Sequence, residues 1–396
     1  MQILDKRKAL AIAPLLRLAF RGFFLLGSVF AVIAVPLWIA AFKGTFLHWQ
    51  PVGGWLAWHQ HEMLFGFTSA IIAGFLLTAV QTWTGQPSLS GKPLLLLIMV
   101  WLLARLSWFL AMPAPLLLVL NLLFLLLVTV NMARLLWAVR QVRNYPIVLI
   151  LSLLMLAEAL NLSGVILQSP ELQRRGVLAA AWLVAALITL ICGRVIPFFT
   201  QKGLGRKEPL SPWPWLDWFL LIGMLLIALL EAGGVGLQPH GWIGQLFLLL
   251  ALAHLIRLVR WFDVGVFKVA LLWSLHLAYG WLIVACAGMA LWHFNVLSSP
   301  SPALHALTVG CIGGLILAML SRVSLGHTGR PLVLPKGFWI AFVCLNLGAV
   351  ARVFGVGGWY MPALVVGALF WSLAFAQYVW CYGPMLCKGR ADGHPG

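Results

Sequence analysis

WHQHEMLFGFTSAIIAGFLLTAVQTWTG, Trp58 to Gly85, gathers its ionisable residues at one end of a long apolar run. From Met63 to Val80 no residue is charged. A run of about 18 such residues is long enough to cross the hydrocarbon core of a bilayer. Lipid offers backbone groups no hydrogen-bond partner, so a crossing segment must be helical. Burying an apolar segment does not call for His59, His61 and Glu62 at its mouth, so these three carry the first functional question.

Working outward, the same pattern recurs along the chain. Its 396 residues are 63% hydrophobic and 9% charged, with a mean hydropathy of +1.01. That charge is too little to make the surface of a soluble protein of this length. The alternation of a membrane barrel is absent. The sequence reads as all-α: a polytopic transmembrane helical bundle of about twelve spans. The spans fall near 20–42, 59–81, 93–112, 115–138, 146–168, 176–199, 215–235, 241–260, 267–292, 302–325, 337–356 and 361–382. We expect one transmembrane domain over 1–388 and a disordered tail over 389–396. The first apolar stretch is too long for a signal peptide and reads as a retained span. The six cysteines are scattered through apolar segments without a CxxC, as small packing residues are.

The net charge of +17 is distributed as a topology signal. Lys and Arg residues cluster in the N-terminal tail (Lys6, Arg7, Lys8, Arg17, Arg21) and in every second connection, with Lys388 and Arg390 at the end. The opposite connections hold Lys43, Arg174, Arg175 and Arg352, and Arg105 lies within a span. Positive charge marks the cytoplasmic side, so both termini are expected there. The pattern argues against nucleic acid as a partner; the lipid bilayer is the expected one. Tryptophans such as Trp58, Trp83 and Trp359 fall at expected span ends, where interfacial anchors belong.

The second and tenth spans share a register. Laid without a gap, 61–87 and 305–331 match at His61/His305, Gly66/Gly310, Ile72/Ile316, Leu76/Leu320, Thr84/Thr328, Gly85/Gly329 and Pro87/Pro331. The offset of eight helices suggests internal four-helix repeats, with the sixth span, ending Cys192-Gly193-Arg194-Val195, as a third copy.

Ionisable groups in lipid are costly and tend to be functional. Depth sorts the histidines. His59, His61, His293 and His305 fall near the outer face, with His48 and His240 in outer loops. His254, His276 and His327 fall toward the inner face. Neutral imidazole suits copper, iron and zinc, and haem iron is commonly held by histidine. On a regular helix His59 and His61 point roughly 200° apart. Either an unwound turn brings them to one metal or they serve different partners. Glu62 could be a second-shell acceptor, a proton carrier or a metal ligand. Glu158, which shares a face with Asn161, and Glu231 are candidates for a proton path. Arg257 shares a face with His254, as Tyr279 does with His276, and a nearby Arg suits a haem propionate. Arg322 and Arg330 flank His327 in SRVSLGHTGRP, Ser321 to Pro331.

These strings together resemble the NnrS family, nitric-oxide-responsive haem- and copper-containing membrane proteins. Trp58 to Gly85 resembles one hallmark segment of that family. HALTVGCIGGLILAMLSRVSLGHTGRPL, His305 to Leu332, resembles a second, with GRVIPFFT and LHLAYG between them. The resemblance covers essentially the whole chain. It implies a twelve-helix protein of the bacterial inner membrane carrying haem, b-type by expectation, and copper. Ligand candidacy passes to His59, His61, His254, His276, His305 and His327, and more weakly to Glu62 and the arginines. Which histidine holds which metal stays open. The expected function is protection against nitrosative stress by binding nitric oxide or metal. Two alternatives stand beside it. One is a haem–copper enzyme that reduces nitric oxide or a related nitrogen oxide, fed by an electron donor, with Glu62 or Glu158 relaying protons. The other is a transporter of haem, copper or a metal chelate, which a repeat would suit.

Overall fold

The computed structural model describes residues 10–46, 48–110 and 112–394. Lys6, Arg7 and Lys8 of the basic tail lie outside them. The chain is 80% helical, with no strand among the described residues. We number the long helices α1 (Ala19–Phe42), α2 (Gly54–Thr84), α3 (Lys92–Ser107), α4 (Ala114–Ala138), α5 (Tyr145–Ile166), α6 (Pro170–Gly203), α7 (Pro214–Ala232), α8 (Gly241–Trp261), α9 (Ala270–His293), α10 (Ser301–His327), α11 (Trp339–Phe354) and α12 (Tyr360–Cys387). Apart from α3, these mark eleven segments long and apolar enough to cross a membrane. The expected all-helical membrane protein is therefore what the chain forms.

The helix outside that set is α3, 16 residues long. The sequence led us to expect it through residue 112, and it stops at Ser107. The chain turns over 108–110 and runs into Pro113 and Pro115, where the residue before a proline disfavours helix. Conversely, α6 begins six residues before the expected 176, because Pro170 opens its first turn without costing a needed N–H.

Polarity is arranged as lipid requires. Large apolar side chains such as Ile33, Leu96, Ile222 and Val259 are exposed on helix surfaces. Arg21, Glu62, Arg105, Asn121, Glu158 and His254 are buried. Cys192, Cys286 and Cys311 are buried free thiols.

Two helices depart from regular α-geometry at matching places. In α2 the α-helix Gly54–His61 gives way to a π-helical stretch, Glu62–Thr68, before Ser69–Thr84. In α10 the α-helix Ser301–His305 gives way to a π-helical stretch, Ala306–Gly313, before Gly314–His327. The paired histidines each stand immediately before the π-turns. Both segments also end on a glycine with positive φ, Gly85 at 67° and Gly329 at 72°. The third expected copy, α6, is helical from Pro170 to Gly203 with no such break.

The chain makes two compact units, Met1–Val177 with Leu320–Pro335 and Phe375–Gly396, and Leu178–Met319 with Lys336–Ala374. Three of the four boundaries fall inside α6, α10 and α12, and the fourth in the connection between α10 and α11. In the first unit the turn between α5 and α6 is drawn tight by glycine. A Cβ on Gly176 would stand 2.4 Å from the Asn161 backbone N and 2.6 Å from the Ala157 carbonyl O. One on Gly164 would stand 2.3 Å from the Gln173 backbone N. Both obstacles are backbone, which cannot swing aside. This contact fixes the α5 face that carries Glu158 and Asn161. Past Lys388, where the sequence led us to expect disorder, Ala391 N donates to Thr328 O at 2.9 Å and Arg390 Nη1 to His327 O at 3.2 Å.

Gly176→Ala is expected to destabilise the detergent-solubilised protein by roughly 1–3 kcal/mol, the usual cost of overpacking. Thermal unfolding followed by circular dichroism measures it, with Gly241→Ala, where a Cβ meets open space, as the comparison for a glycine outside the contact. An unfolding midpoint unchanged in Gly176→Ala would mean the two helices part more easily than the contact implies.

Candidate functional site

Within the first unit, α2, α3, α4 and α5 bring polar side chains to one buried line. Glu158 Oε1 lies 3.3 Å from His61 Nε2. His61 Nδ1 is 3.0 Å from Glu62 Oε1 and donates to it. Glu62 Oε2 pairs with Arg105 Nε at 2.8 Å. Arg105 Nη2 donates to Asn121 Oδ1 at 3.0 Å, and Asn121 Nδ2 to Ser107 Oγ at 3.2 Å. His61 and Glu62 are 0% exposed, Glu158 1% and Arg105 6%.

The π-turn explains why these groups meet. A π-stretch inserts an extra residue and leaves carbonyls outside the regular ladder. Here the carbonyls of Phe65 and Gly66 accept from Arg105 Nη1 at 3.1 Å and Trp101 Nε1 at 2.9 Å. Gly66 leaves room for this: a Cβ there would be 2.7 Å from Arg105 Nη1 and 2.8 Å from Glu62 Oε2. The apolar wall is Phe65 and Trp108, whose rings lie 5.0 and 4.7 Å from that of His61.

Charge bookkeeping follows from chemistry. Arg105 balances an ionised Glu62. The remaining proton sits either on Glu158, facing a neutral His61, or on His61, facing an ionised Glu158. The two arrangements have the same net charge and differ by a proton moved across the 3.3 Å gap. In both, His61 keeps Nδ1–H toward Glu62. A line of this kind can hold and pass a proton.

The helix α2 is regular through His59 and His61, so the two serve different partners. His59 stacks on Trp38, ring centres 4.8 Å apart. His305 belongs to the second unit. Its Nδ1 donates to Ser301 O at 2.7 Å, which puts the ring's lone pair on Nε2. Among the described residues, no three His, Cys, Asp or Glu side chains stand together so as to hold a metal ion.

The inner group also divides. His254, His276 and Arg257 belong to the second unit, and His327, Arg322 and Arg330 to the first. His254 Nδ1 lies 2.6 Å from Tyr279 Oη. Arg257 is committed: Nη2 pairs with Asp217 Oδ1 at 2.6 Å and Nη1 donates to Thr189 O at 3.0 Å. A Cβ on Gly193 would meet Arg257 Nη2 at 1.8 Å, so the glycine of CGRV makes room for that guanidinium. His276 Nδ1 donates to Leu272 O at 2.9 Å, with the Trp261 backbone also near its ring. The Nε2 atoms of His254 and His276 are buried and make no hydrogen bond. Half-buried His327 packs its ring on Phe20, 5.5 Å between centres. Arg330 Nη1 donates to Thr328 O at 3.3 Å, and Arg322 is buried. Glu231 is buried at the end of α7, its carboxyl held close over Gly236.

The residues sequence reading passed over are Arg105, Asn121 and Asp217. Arg105 carried a signal, as the one basic residue counted inside a span. Asn121 and Asp217 carried none beyond being polar.

Fold and site together define a polytopic, all-helical membrane protein with a carboxylate–imidazole–guanidinium line in one unit and bare buried imidazole nitrogens in the other. The chain belongs to the NnrS family, whose model, described as NnrS protein, matches residues 14–390. Among curated proteins none matches it.

Arg105→Leu should cost roughly 3–5 kcal/mol, the penalty for leaving a buried charge unpaired. Arg105→Leu with Glu62→Gln should recover most of that loss, since neither charge then remains. Simple addition of the two single losses in chemical unfolding would show that the pair does not act as a unit.

Proposed function

We propose that this chain is a membrane protein of the nitric oxide response. It would sit in the bacterial inner membrane with both termini cytoplasmic. It would hold haem, b-type because no cysteine is placed to attach it, and protect the cell by binding nitric oxide. Family membership supports the response. The observation that carries the haem reading is His276. Donation from its Nδ1 to Leu272 O puts the lone pair on Nε2, which is buried, with the Trp261 backbone near the ring. That is the tautomer in which an imidazole would hold haem iron, and the bond to Leu272 O orients the ring. His254 is the second candidate. It reaches the same tautomer when its Nδ1–H donates to the Tyr279 oxygen. Haem iron bound there would supply the site for nitric oxide. The protein's own part is to fix the ring, exclude water and keep the nitrogen deprotonated.

The residues expected for copper fit it less well as they stand. One His61 nitrogen is given to Glu62 and the other faces Glu158. His59 is stacked on Trp38. Of the three, His305 alone has the ligating tautomer fixed by a carbonyl. We therefore route no step through copper.

The line from Glu158 to Arg105 favours a second reading, reduction of nitric oxide. Two NO, two electrons and two protons give N2O and water. A one-electron donor protein or a quinol would supply the electrons. Glu158, His61 and Glu62 would hand over the protons.

Haem and copper content of the purified protein, beside His276→Ala, His254→Ala and His61→Ala, tests both readings. Haem should fall severalfold in His276→Ala and stay in His61→Ala. Full haem in both inner variants would end the ligand assignment. Anaerobic addition of nitric oxide then separates stoichiometric binding, the first reading, from donor-dependent consumption lost in Glu158→Gln, the second.

A further inference from the structure

Tyr279 is buried on α9, one helical turn from His276. Its Oη lies 2.6 Å from His254 Nδ1 and 3.4 Å from Arg257 Nη1. Arginine only donates, so the Arg257 contact uses a lone pair of the phenol oxygen. The phenol proton needs an acceptor of its own. Among the described residues that touch Oη, His254 Nδ1 is the one group able to accept it. If Nδ1–H donated to Oη instead, the phenol O–H would be a buried donor without an acceptor, which is costly. The separation argues the same way. O–H donors close to roughly 2.5 Å, whereas N–H donors to oxygen stop near about 2.7 Å.

The charge of Arg257 is balanced by Asp217. No carboxylate stands among the described partners of His254, so its imidazole is neutral. A neutral imidazole that accepts at Nδ1 carries its proton on Nε2. That nitrogen is buried and makes no hydrogen bond. It is therefore a donor without an acceptor, with no lone pair to give a metal. His276 has the opposite arrangement, with Nδ1–H on Leu272 O and the lone pair on Nε2.

We propose that the two inner histidines divide the work. His276 holds haem iron, and His254 donates its Nε2–H to the diatomic ligand bound there. Tyr279, held by Arg257, is a positioning residue that keeps the proton on Nε2. This rests on the haem reading and takes His254 out of the set of iron ligands. Nitric oxide and carbon monoxide gain partial negative charge on ferrous iron, and a fixed N–H in an apolar interior favours that charge.

Two measurements on the full-length protein test it. Nitrogen-15 NMR of histidine-labelled protein reads the tautomer, as purified and as the diamagnetic ferrous carbon monoxide adduct, with His254→Ala to identify the signal. The wild type should carry the His254 proton on Nε2, and Tyr279→Phe should move it wholly or partly to Nδ1. A wild-type proton on Nδ1 overturns the proposal, with haem or without. Infrared spectroscopy of the same adduct reads the C–O stretch, which a hydrogen-bond donor lowers. His254→Leu should keep its haem and raise the stretch, and Tyr279→Phe should raise it by less. Haem lost from His254→Leu makes that residue a ligand and overturns the proposal, as does a stretch unchanged in both variants. Should His254→Leu fail to fold, Tyr279→Phe, which removes a single oxygen, decides it by the same two signals. Wild-type protein with no haem absorption ends the haem reading and the donor role with it, an outcome distinct from a wrong tautomer because the nitrogen signals are read without haem.

Discussion

Inside a bundle walled by lipid, Glu62 can stay ionised only beside a cation, and Arg105 is that cation. The pair spans α2 and α3 at 2.8 Å and is buried on both sides. Much of the first unit follows from it. The π-turn after His61 turns two backbone carbonyls toward α3. Gly66 clears the space, and Trp101 and Arg105 fill it with donors. With Glu62 held from one side, His61 is oriented from Nδ1 and presents Nε2 to Glu158 on α5. The tight glycine contact between α5 and α6 then holds Glu158 at the far end of the line.

The fold was legible because lipid reduces it to one variable. Each span needs a length of apolar sequence, and composition alone reports it. What the sequence could not report was which polar residues meet. His61 and Glu158 are nearly a hundred residues apart, and nothing in either apolar segment announces the other. His59 and His61 looked alike as ligands, yet regular helix over Gly54–His61 sends them to different neighbours. Arg257 suited a propionate on spacing, and Asp217, from a loop-proximal turn of α7, had already claimed it. Local geometry on one helix was readable, as with His61 over Phe65. Pairings across helices were not.

The distinction between binding and catalysis turns on tautomers more than on residue types. His276 and His305 each give Nδ1–H to a carbonyl of their own helix four residues back, which puts the lone pair on Nε2. His61 gives Nδ1–H to a carboxylate and faces another across Nε2. His61, His276 and His305 thus differ by what their Nδ1–H is given to.

The sequence repeat between the second and tenth spans gains its physical meaning from the π-turns. Shared greasiness explains matched leucines and isoleucines, but not a helix defect at the same register. With His61 on His305, the stretch 62–68 falls on 306–312, and the observed second stretch is Ala306–Gly313. The identical Gly66 and Gly310 do the same work. A Cβ on Gly66 would strike Arg105, and one on Gly310 would strike Trp281 at 2.4 Å. Each π-turn therefore receives a large side chain from a neighbouring helix. The copies then differ in chemistry. The residue after His61 is Glu62, which requires Arg105. The residue after His305 is Ala306, which requires no cation. One backbone device thus supports a carboxylate-oriented imidazole in the first unit and a carbonyl-oriented one in the second. The absence of the defect from α6 limits the device to these two helices among the described residues.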